Sequence, residues 1–583
     1  MNFVPNNTSE INSFDLFHFA VVNPQIAMLT FLKMGEQMAS QPDKIRDSQK
    51  ELWNRLIELQ TSLVEEICRK QSTDEDVIEL EYNKKDQKFE NNSFDSNAMM
   101  IYTRKFYDTM SDWVISTLDS FENVDPSISS GAKFFAKQYL NMMSPDNFPF
   151  LNPKVLKETL DSGGENFRKG LELFLEDLSK GRITTNDQSS FSVGENLANT
   201  PGKVVFRNDL IELIQYTPTT KTVYETPILF VPPWINKFYI LDLNEKFSFV
   251  KWAVDNGFTV FMISWVNPDK RYKDYSFEDY AFLGVVKALD TIYELTKAKA
   301  AHTIGYCVGG TLISCLLAYL AHPQSKIKPK TDILSATLLT TLLDFQHAGD
   351  MSVFMSGNYL DVISAQMKEK GVLNSSVMYN TFSALKPKDM IWRYFINSYM
   401  LGKRPSAHEI LFWNSDATNL TKAMQTFLSH DLYRDNLLKT GILKMGGVPL
   451  ELWRINKPIY MISMIKDHLV PWQAAFDGKN LFNCPVKFVV GGSGHVAGVI
   501  NHPNNKKYSY WINDKIVETA QDWINTAIEI QGSWWNDWIE WLKPMMGGMI
   551  NAPQIEDFIG DAPGIYVKNM VPEQLLSKNE NNS

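Results

Sequence analysis

The chain has few of the features that mark secreted, membrane-spanning or nucleic-acid-binding proteins. It contains only four cysteines in 583 residues, and their wide separation excludes a disulfide framework and favours a reducing cytoplasm. No uninterrupted apolar run reaches the roughly 18 residues that a spanning helix needs. The formal net charge is −10, which argues against nucleic acid as a partner. We therefore expect a cytoplasmic protein with neither a membrane span nor a nucleic-acid partner.

Motifs for metals, nucleotides and export are missing as well. No group of His, Cys, Asp and Glu residues has the spacing of a zinc site. Neither the phosphate-binding pattern G-x-x-x-x-G-K-[ST] nor a dinucleotide fingerprint follows a predicted strand. The first residues, 1–7, offer no basic region or apolar core, so we expect no signal peptide. The sequence predicts no metal and no cofactor.

The most informative motif is Gly305-Tyr306-Cys307-Val308-Gly309, which has the form G-x-C-x-G. In a nucleophile elbow, small residues two positions before and after the nucleophile allow a tight strand-to-helix turn to close. Gly305 and Gly309 meet this need. A helix starting after Cys307 stabilises a thiolate and a developing oxyanion at its N-terminus. The pentapeptide alone leaves open a plain turn that contains a buried cysteine.

Two downstream residues complete a catalytic triad with Cys307. Asp467 follows an apolar stretch that reads as a strand, and His495 ends a glycine-rich loop after the next one. The order nucleophile, acid, histidine is that of α/β-hydrolases. The segment between Asp467 and His495 has room for one helix and one strand. His468 directly follows Asp467 and cannot easily present its ring both to this carboxylate and to Cys307. We therefore expect His468 to fix the conformation of the loop or to hold the triad residues in place, and not to act as the base.

An acyl-transfer site also needs two N–H donors for the tetrahedral oxyanion. The first is expected from the backbone of Val308, the residue after the nucleophile, and the second from the loop after an early strand. That loop is Pro232 to Asn236. Because proline has no N–H, the second donor must be a backbone N–H of residues 234–236, and we choose that of Ile235. The alternative is that the two prolines only shape the loop.

Around the elbow the chain resembles the class I polyhydroxyalkanoate synthases, polyester polymerases of the α/β-hydrolase superfamily. The resemblance extends from about position 160 to position 545, and the part of the chain before it matches poorly. One departure is His502-Pro503, where a proline-rich continuation is expected. The shared blocks are FSVGENLANTPGKVVFRNDLIELIQY at 191–216, FVPPWINKFYILDL at 230–243, GYCVGGT at 305–311, WNSDATNL at 413–420, DHLVPW at 467–472, SGHVAGVIN at 493–501 and GSWW at 532–535.

The resemblance implies a reaction and a set of partners. (R)-3-hydroxyacyl units pass from CoA thioesters through a Cys307 thioester onto a growing polyhydroxyalkanoate chain, and CoA is released. It also implies a homodimer in the cytoplasm at the polymer granule surface, with possible granule-associated protein partners. Whether Asp467 only orients His495 or activates the substrate hydroxyl stays open. The rival functions are a cysteine-dependent acyl-CoA thioesterase or polyester depolymerase on the same fold, and a non-enzymatic granule-coat protein.

The expected organisation has three parts. Residues 1–190 are mainly helical, with Leu52, Leu56, Leu59 and Leu63 at helical spacing and a loop at 83–97. Residues 191–545 form an α/β-hydrolase domain with a mostly parallel sheet, helices on both faces, and a helical cap inserted at about 346–450. Residues 546–583 form a tail. The strands are expected at 203–206, 211–217, 228–231, 259–264 and 301–304. The tryptophans at 534, 535, 538 and 541 share one face of a predicted helix, and we expect this face to pack against the sheet rather than to contact polymer.

Overall fold

The structure is a computed structural model that describes residues 24–71, 98–180, 183–355, 360, 367 and 370–570. It divides into two compact units, Met1–Asp187 with Asn380–Ala407, and Gln188–Tyr379 with His408–Ser583. The boundary near residue 188 is close to the predicted one. The predicted loop at 83–97 lies outside the described residues, as does the end of the tail.

The first unit is helical, as the leucine spacing indicates. Local capping explains where two of its helices start. Asp125 accepts the N–H groups of Ser127 and Ile128, and Asn152 accepts those of Lys154 and Val155, which satisfies donors that a helix start leaves free. The helices are α1 Pro24–Ala39, α2 Pro42–Gln71, α3 Ala98–Ser120, α4 Pro126–Met142, α5 Pro153–Ser162 and α6 Glu165–Lys180.

Residues 380–407 belong to this helical unit, although the sequence places them in a cap on the catalytic domain. They include two π-helical segments, Lys388–Trp392 and Phe395–Met400, and side chains of α6 hold the second one. Asn166 Nδ2 donates to the Met400 carbonyl oxygen at 2.7 Å, and Tyr399 donates to Asp177 Oδ2 at 2.8 Å. The predicted cap of 346–450 is therefore shared between the two units, because its middle part finds its buried partners on α6.

The second unit is built on an eleven-stranded, mostly parallel sheet. The strands of the unit are β1 Gly202–Arg207, β2 Ile211–Tyr216, β3 Thr222–Tyr224, β4 Ile228–Val231, β5 Val260–Trp265, β6 Ala300–Tyr306, β7 Asp332–Leu339, β8 Val372–Leu373, β9 Leu420–Thr421, β10 Lys444–Met445, β11 Val448–Pro449, β12 Ile459–Met464, β13 Val486–Gly491, β14 Ser509–Ile512, β15 Ile528–Gln531, β16 Met549–Asn551 and β17 Gly560–Asp561. The order in the main sheet is β15-β14-β13-β12-β7-β6-β4-β5-β2-β1-β17. The strands from β13 to β5 in this order are parallel, and the outer strands are antiparallel.

The helices of this unit connect and cover the strands. The π-helical segment Tyr280–Val286 joins the helices Phe277–Asp279 and Lys287–Thr296. A second π-helical segment, Phe427–Arg434, follows the helix Lys422–Thr426. The bounds of the helices are α7 Phe249–Asp255, α8 Phe277–Asp279, α9 Lys287–Thr296, α10 Val308–Ala321, α11 Met351–Phe354, α12 Ser375–Leu385, α13 Glu409–Ser415, α14 Lys422–Thr426, α15 Leu437–Thr440, α16 Trp472–Lys479, α17 Ala520–Asn525 and α18 Trp535–Leu542. Of these, α12 begins in the second unit and ends in the first, whose second segment starts at Asn380.

Helices cover both faces of the parallel strands. Gly305 of β6 lies directly against the start of α10, whereas its neighbours Ile304 and Tyr306 join the apolar cluster formed with α7 and α18. Because successive strand residues point to opposite faces, the two helix layers are on opposite sides. Trp534, Trp535 and Trp538 are buried in this cluster, so packing is the observed role of the tryptophan face.

The described part of the tail belongs to the edge of the sheet. β17 pairs with β1, and β16 pairs with β3. Beyond β17, the fully buried Glu212 carboxylate accepts the N–H groups of Ile565 and Tyr566, both at 2.9 Å, and also contacts Arg207. The chain as far as residue 570 is thus fixed to the catalytic unit.

Candidate active site

Cys307, the predicted nucleophile, stands at a sharp turn between β6 and α10. Its backbone angles are φ 54° and ψ −122°, a region that residues with a Cβ rarely adopt and that concentrates at functional sites. Its N–H donates to the Leu339 carbonyl oxygen at 2.8 Å, and its own carbonyl oxygen accepts the Gly310 N–H at 2.9 Å. The turn is held from both sides, which leaves the half-buried thiol at the N-terminus of α10.

The two glycines of the motif have a steric reason. A Cβ at Gly305 would lie 2.4 Å from the Gly310 Cα, and one at Gly309 would lie 2.2 Å from the Val231 carbonyl oxygen. Both distances are far shorter than any normal carbon contact. Gly305 therefore lets β6 meet the first turn of α10, and Gly309 lets that turn approach the end of β4.

Asp467 and His495 meet beyond the ends of β12 and β13. His495 Nδ1 lies 2.6 Å from Asp467 Oδ2, and Asp467 Oδ1 accepts the N–H groups of Leu469 and Val470 at 2.9 and 3.0 Å. The Asp467 side chain has no exposed surface. Tyr306 stacks on the His495 ring and donates to its carbonyl oxygen at 3.2 Å. The imidazole is thus held in one position by the carboxylate and the phenol beside it.

The charges around His495 favour its protonated form. Burial lowers the pKa of His495, but the Asp467 carboxylate and the Cys307 sulfur, which both interact with the ring, raise it to about 10. An imidazolium beside a cysteine is the arrangement that holds a reactive thiolate. The three residues predicted from the sequence are therefore brought together as a Cys–His–Asp set.

The loop after β4 lies beside the elbow, because Val231 pairs with Gly305 across neighbouring parallel strands. Val308 is the first residue of α10, so its N–H has no acceptor within the helix. Ile235 lies in the loop, and its carbonyl oxygen accepts the Thr418 N–H at 3.3 Å. The two residues chosen as oxyanion donors thus belong to adjacent elements at the carboxyl edge of the sheet.

An aromatic pair includes a tyrosine that senses the charge of the cysteine. Burial and then the charge of Cys307 raise the pKa of Tyr433. Its ring centroid is 4.9 Å from that of Phe345 in an edge-to-face contact. Asn436 ties the two segments together, since its Nδ2 donates to Asp344 Oδ1 at 2.7 Å and its Oδ1 accepts the Phe345 N–H at 3.0 Å.

The other histidines near the triad have different surroundings. His302 is buried in β6, with Nδ1 2.7 Å from Ser335 Oγ and Nε2 3.1 Å from the Met545 carbonyl oxygen. His468 lies in the loop before α16, where its carbonyl oxygen approaches Gly349.

Within the described ranges no group of His, Cys, Asp or Glu side chains is arranged to hold a metal. None of the helices described there has the length and apolar content to cross a bilayer.

Sequence comparisons show the family of the chain. A family model described as the N-terminus of poly-beta-hydroxybutyrate polymerase matches residues 85–253, and an alpha/beta hydrolase fold model matches residues 226–501. The poly(3-hydroxyalkanoate) polymerase of Methylorubrum extorquens is 37% identical over 92% of this chain and 88% of its own length. The polymerase subunit of Rhizobium meliloti (strain 1021) is 36% identical over 92% of this chain and 88% of its own length. That of Cupriavidus necator is 37% identical over 83% of this chain and 83% of its own length.

The similarity reaches further toward the N-terminus than the motifs indicate. The chain before position 160 is expected to match poorly, yet the first family model begins at residue 85, and two relatives align over about nine-tenths of the chain. The expectation is wrong because it rests on the quoted sequence blocks, which begin only at position 191. With identities of 36% and 37% over most of both chains, this protein belongs to the poly(3-hydroxyalkanoate) polymerase family and has an α/β-hydrolase catalytic unit.

Proposed function

We propose that the protein polymerises (R)-3-hydroxyacyl units from CoA thioesters, with Cys307 as the nucleophile, His495 as the proton carrier and Asp467 as its orienting partner. The observation that carries the proposal is the Asp467–His495 pair beside a strained elbow cysteine, in a chain of the polymerase family. As a family member the protein is an acyltransferase. Class I relatives and a full helical region favour monomers with short side chains.

The first half-reaction forms an acyl-enzyme. The Cys307 thiolate attacks the thioester carbonyl carbon, and the N–H groups of Val308 and Ile235 stabilise the tetrahedral oxyanion. When the C–S bond to CoA breaks, the departing CoA thiolate takes the proton held by His495. The product is a Cys307 thioester and free CoA.

The second half-reaction extends the polymer. Neutral His495 accepts the proton of a 3-hydroxyl group as that oxygen attacks an acyl thioester. A new ester bond forms, the C–S bond breaks, and the sulfur leaves as a thiolate that the new imidazolium stabilises. A cysteine suits this sequence because transfer between sulfur atoms is nearly isoenergetic, so the acyl group stays reactive. An acyl-serine ester would be a deeper energy minimum.

A polymerase must also keep water from the acyl-enzyme, since otherwise it becomes a thioesterase. The Phe345–Tyr433 pair supports this part of the proposal, because the two rings are in contact and the charge of Cys307 acts on Tyr433. The cap that contains Tyr433 must move to admit CoA and release polymer. His468 and Asp344 fix the loops on which this cover rests.

The setting of the reaction is part of the proposal. The enzyme works in the cytoplasm as a homodimer at the surface of its polymer granules, where the helical unit contributes to dimerisation and meets granule-associated proteins. The implied substrate is (R)-3-hydroxyacyl-CoA, and no cofactor is required.

The experiment follows both halves of the substrate. Purified protein and a Cys307→Ala variant receive (R)-3-hydroxybutyryl-CoA, and free CoA and the acyl product are measured separately. CoA release with insoluble polyester, absent in the variant, supports polymerisation. CoA release with only free hydroxyacid identifies a thioesterase. If the wild type and Cys307→Ala release CoA equally, the role of the cysteine is wrong.

A further inference from the structure

We propose that Thr418 is the positioning residue for the second oxyanion donor, because it sets the direction of the Ile235 N–H. This inference rests on the proposed function and adds a residue to it that the triad and the elbow motif do not indicate. Thr418 lies far from Cys307 in sequence, in the segment that leads from α13 to β9. It is 2% exposed.

One peptide group sets the direction of the Ile235 N–H. Thr418 Oγ1 donates to the Trp234 carbonyl oxygen at 2.6 Å. That carbonyl and the Ile235 N–H belong to the same peptide, which is trans, and in a trans peptide the two groups point in opposite directions. A hydroxyl that holds the oxygen on one side therefore fixes the N–H on the other.

Thr418 holds the following peptide as well. Its backbone N–H donates to the Ile235 carbonyl oxygen at 3.3 Å, and Ala417 forms a β-bridge with Asn236. The carbonyl groups on both sides of the Ile235 Cα are thus engaged by one residue. Rotation of the Ile235 N–H away from the elbow would require the hydroxyl bond at the Trp234 carbonyl to break.

The loop needs such an external partner. Pro232 and Pro233 have no N–H, so the start of the loop cannot form the ladder bonds that hold a strand. The Pro232 carbonyl oxygen is bound by Trp265 Nε1 at 2.9 Å. After this point the peptides are held by the segment that contains Thr418 and not by β4 or β6.

The segment that contains Thr418 is itself fixed by a partly buried ion pair. Asp416 contacts Lys237 Nζ at 2.6 Å and accepts the Tyr239 hydroxyl at 2.8 Å. Trp413 Nε1 donates to the Lys237 carbonyl oxygen at 2.7 Å. The Lys237 side chain is only 5% exposed. The segments 413–418 and 234–239 therefore form one hydrogen-bonded unit on which the donor geometry depends.

The experiment uses two reactions of Cys307 that differ in their need for an oxyanion hole. Transfer from (R)-3-hydroxybutyryl-CoA passes through a tetrahedral oxyanion, whereas alkylation by iodoacetamide does not. In the full-length protein we expect Thr418→Val to lower the kcat of CoA release about 10- to 100-fold, since loss of one such donor costs about 100- to 1000-fold. The alkylation rate and the KM stay within about twofold of the wild type, and Thr418→Ser, which keeps the hydroxyl, restores most of the kcat.

Thr331→Val is the matched control. The Thr331 hydroxyl donates to the Ala298 carbonyl oxygen at 2.9 Å, and the residue is fully buried. Thr331 precedes β7 and therefore lies at the amino ends of the parallel strands, whereas Cys307 lies at their carboxyl ends. An unchanged kcat in Thr418→Val, a parallel fall in alkylation, or no recovery in Thr418→Ser each overturns the inference. Wild-type CoA release tests the proposed function separately. If that fails, hydrolysis of 4-nitrophenyl butyrate, which needs an oxyanion but no CoA recognition, gives the same comparison.

Discussion

Replacing Asp467 by Asn distinguishes the two roles that this carboxylate can have in polymerisation. Oδ2 contacts His495, Oδ1 accepts two backbone N–H groups, and the side chain has no exposed surface. Because the side chain has no exposed surface, a substrate hydroxyl cannot reach either carboxylate oxygen directly. We therefore predict that Asp467 acts only through His495, and that Asp467→Asn slows acylation and chain extension by the same factor.

The size of the effect follows from the charges at His495. Burial lowers the pKa of His495, yet the Asp467 and Cys307 charges raise it from 6.5 to about 10. Asp467→Asn removes the charge-assisted hydrogen bond to this ring, and such a bond is worth roughly 1.5–3 kcal/mol. Both half-reactions should then fall about 10- to 150-fold.

Rapid quenching separates the two steps. A single turnover with limiting (R)-3-hydroxybutyryl-CoA reports acylation as CoA release, and the steady state with excess substrate reports extension. Asp477→Asn, an exposed carboxylate on α16, is the control and should leave both rates unchanged. A fall in extension at least tenfold larger than the fall in acylation would refute the reasoning, since it would show that the carboxylate acts on the hydroxyl itself.

Three further outcomes are expected. Because the raised pKa keeps His495 protonated until the pH approaches about 10, an imidazolium interacts with the sulfur at pH 7, and His495→Gln should slow the alkylation of Cys307 by iodoacetamide at this pH more than about tenfold. Gly309→Ala forces a Cβ within 2.2 Å of a carbonyl oxygen and should lower the free energy of unfolding by about 1–3 kcal/mol or more, while Gly548→Ala, with open space around it, should change it little in denaturant titrations. Phe345→Ala should raise the share of free hydroxyacid in the chromatographed product severalfold, and an unchanged share would exclude this ring from shielding the thioester.

Much of the catalytic unit could be predicted because its signals are local. The strand expected at 228–231 is Ile228–Val231, and the one expected at 301–304 is Ala300–Tyr306. Strands of a parallel sheet are buried on both faces, so they read as continuous apolar runs. The elbow and the order of Cys307, Asp467 and His495 are equally local, since each residue follows the end of its own strand.

What could not be predicted depends on contacts between distant parts of the chain. Thr418 reaches the Trp234 carbonyl across 184 positions, and a threonine in a loop has no periodic pattern that reveals its partner. Likewise, β17 completes the sheet beside β1, although the sequence predicts only a tail in this region. The packing of residues 380–407 with α6 was missed because a helical pattern shows an apolar face without showing what covers it.

The central claim is that the growing polymer passes through a thioester on Cys307. Its most direct test is mass spectrometry of the proteolysed enzyme after rapid mixing with (R)-3-hydroxybutyryl-CoA and acid quenching. We predict a hydroxyacyl adduct on the peptide that contains Cys307. This adduct should be removed by neutral hydroxylamine and should be absent from Cys307→Ala. An adduct on another residue, or polymer formed at the wild-type rate by Cys307→Ala, would contradict it.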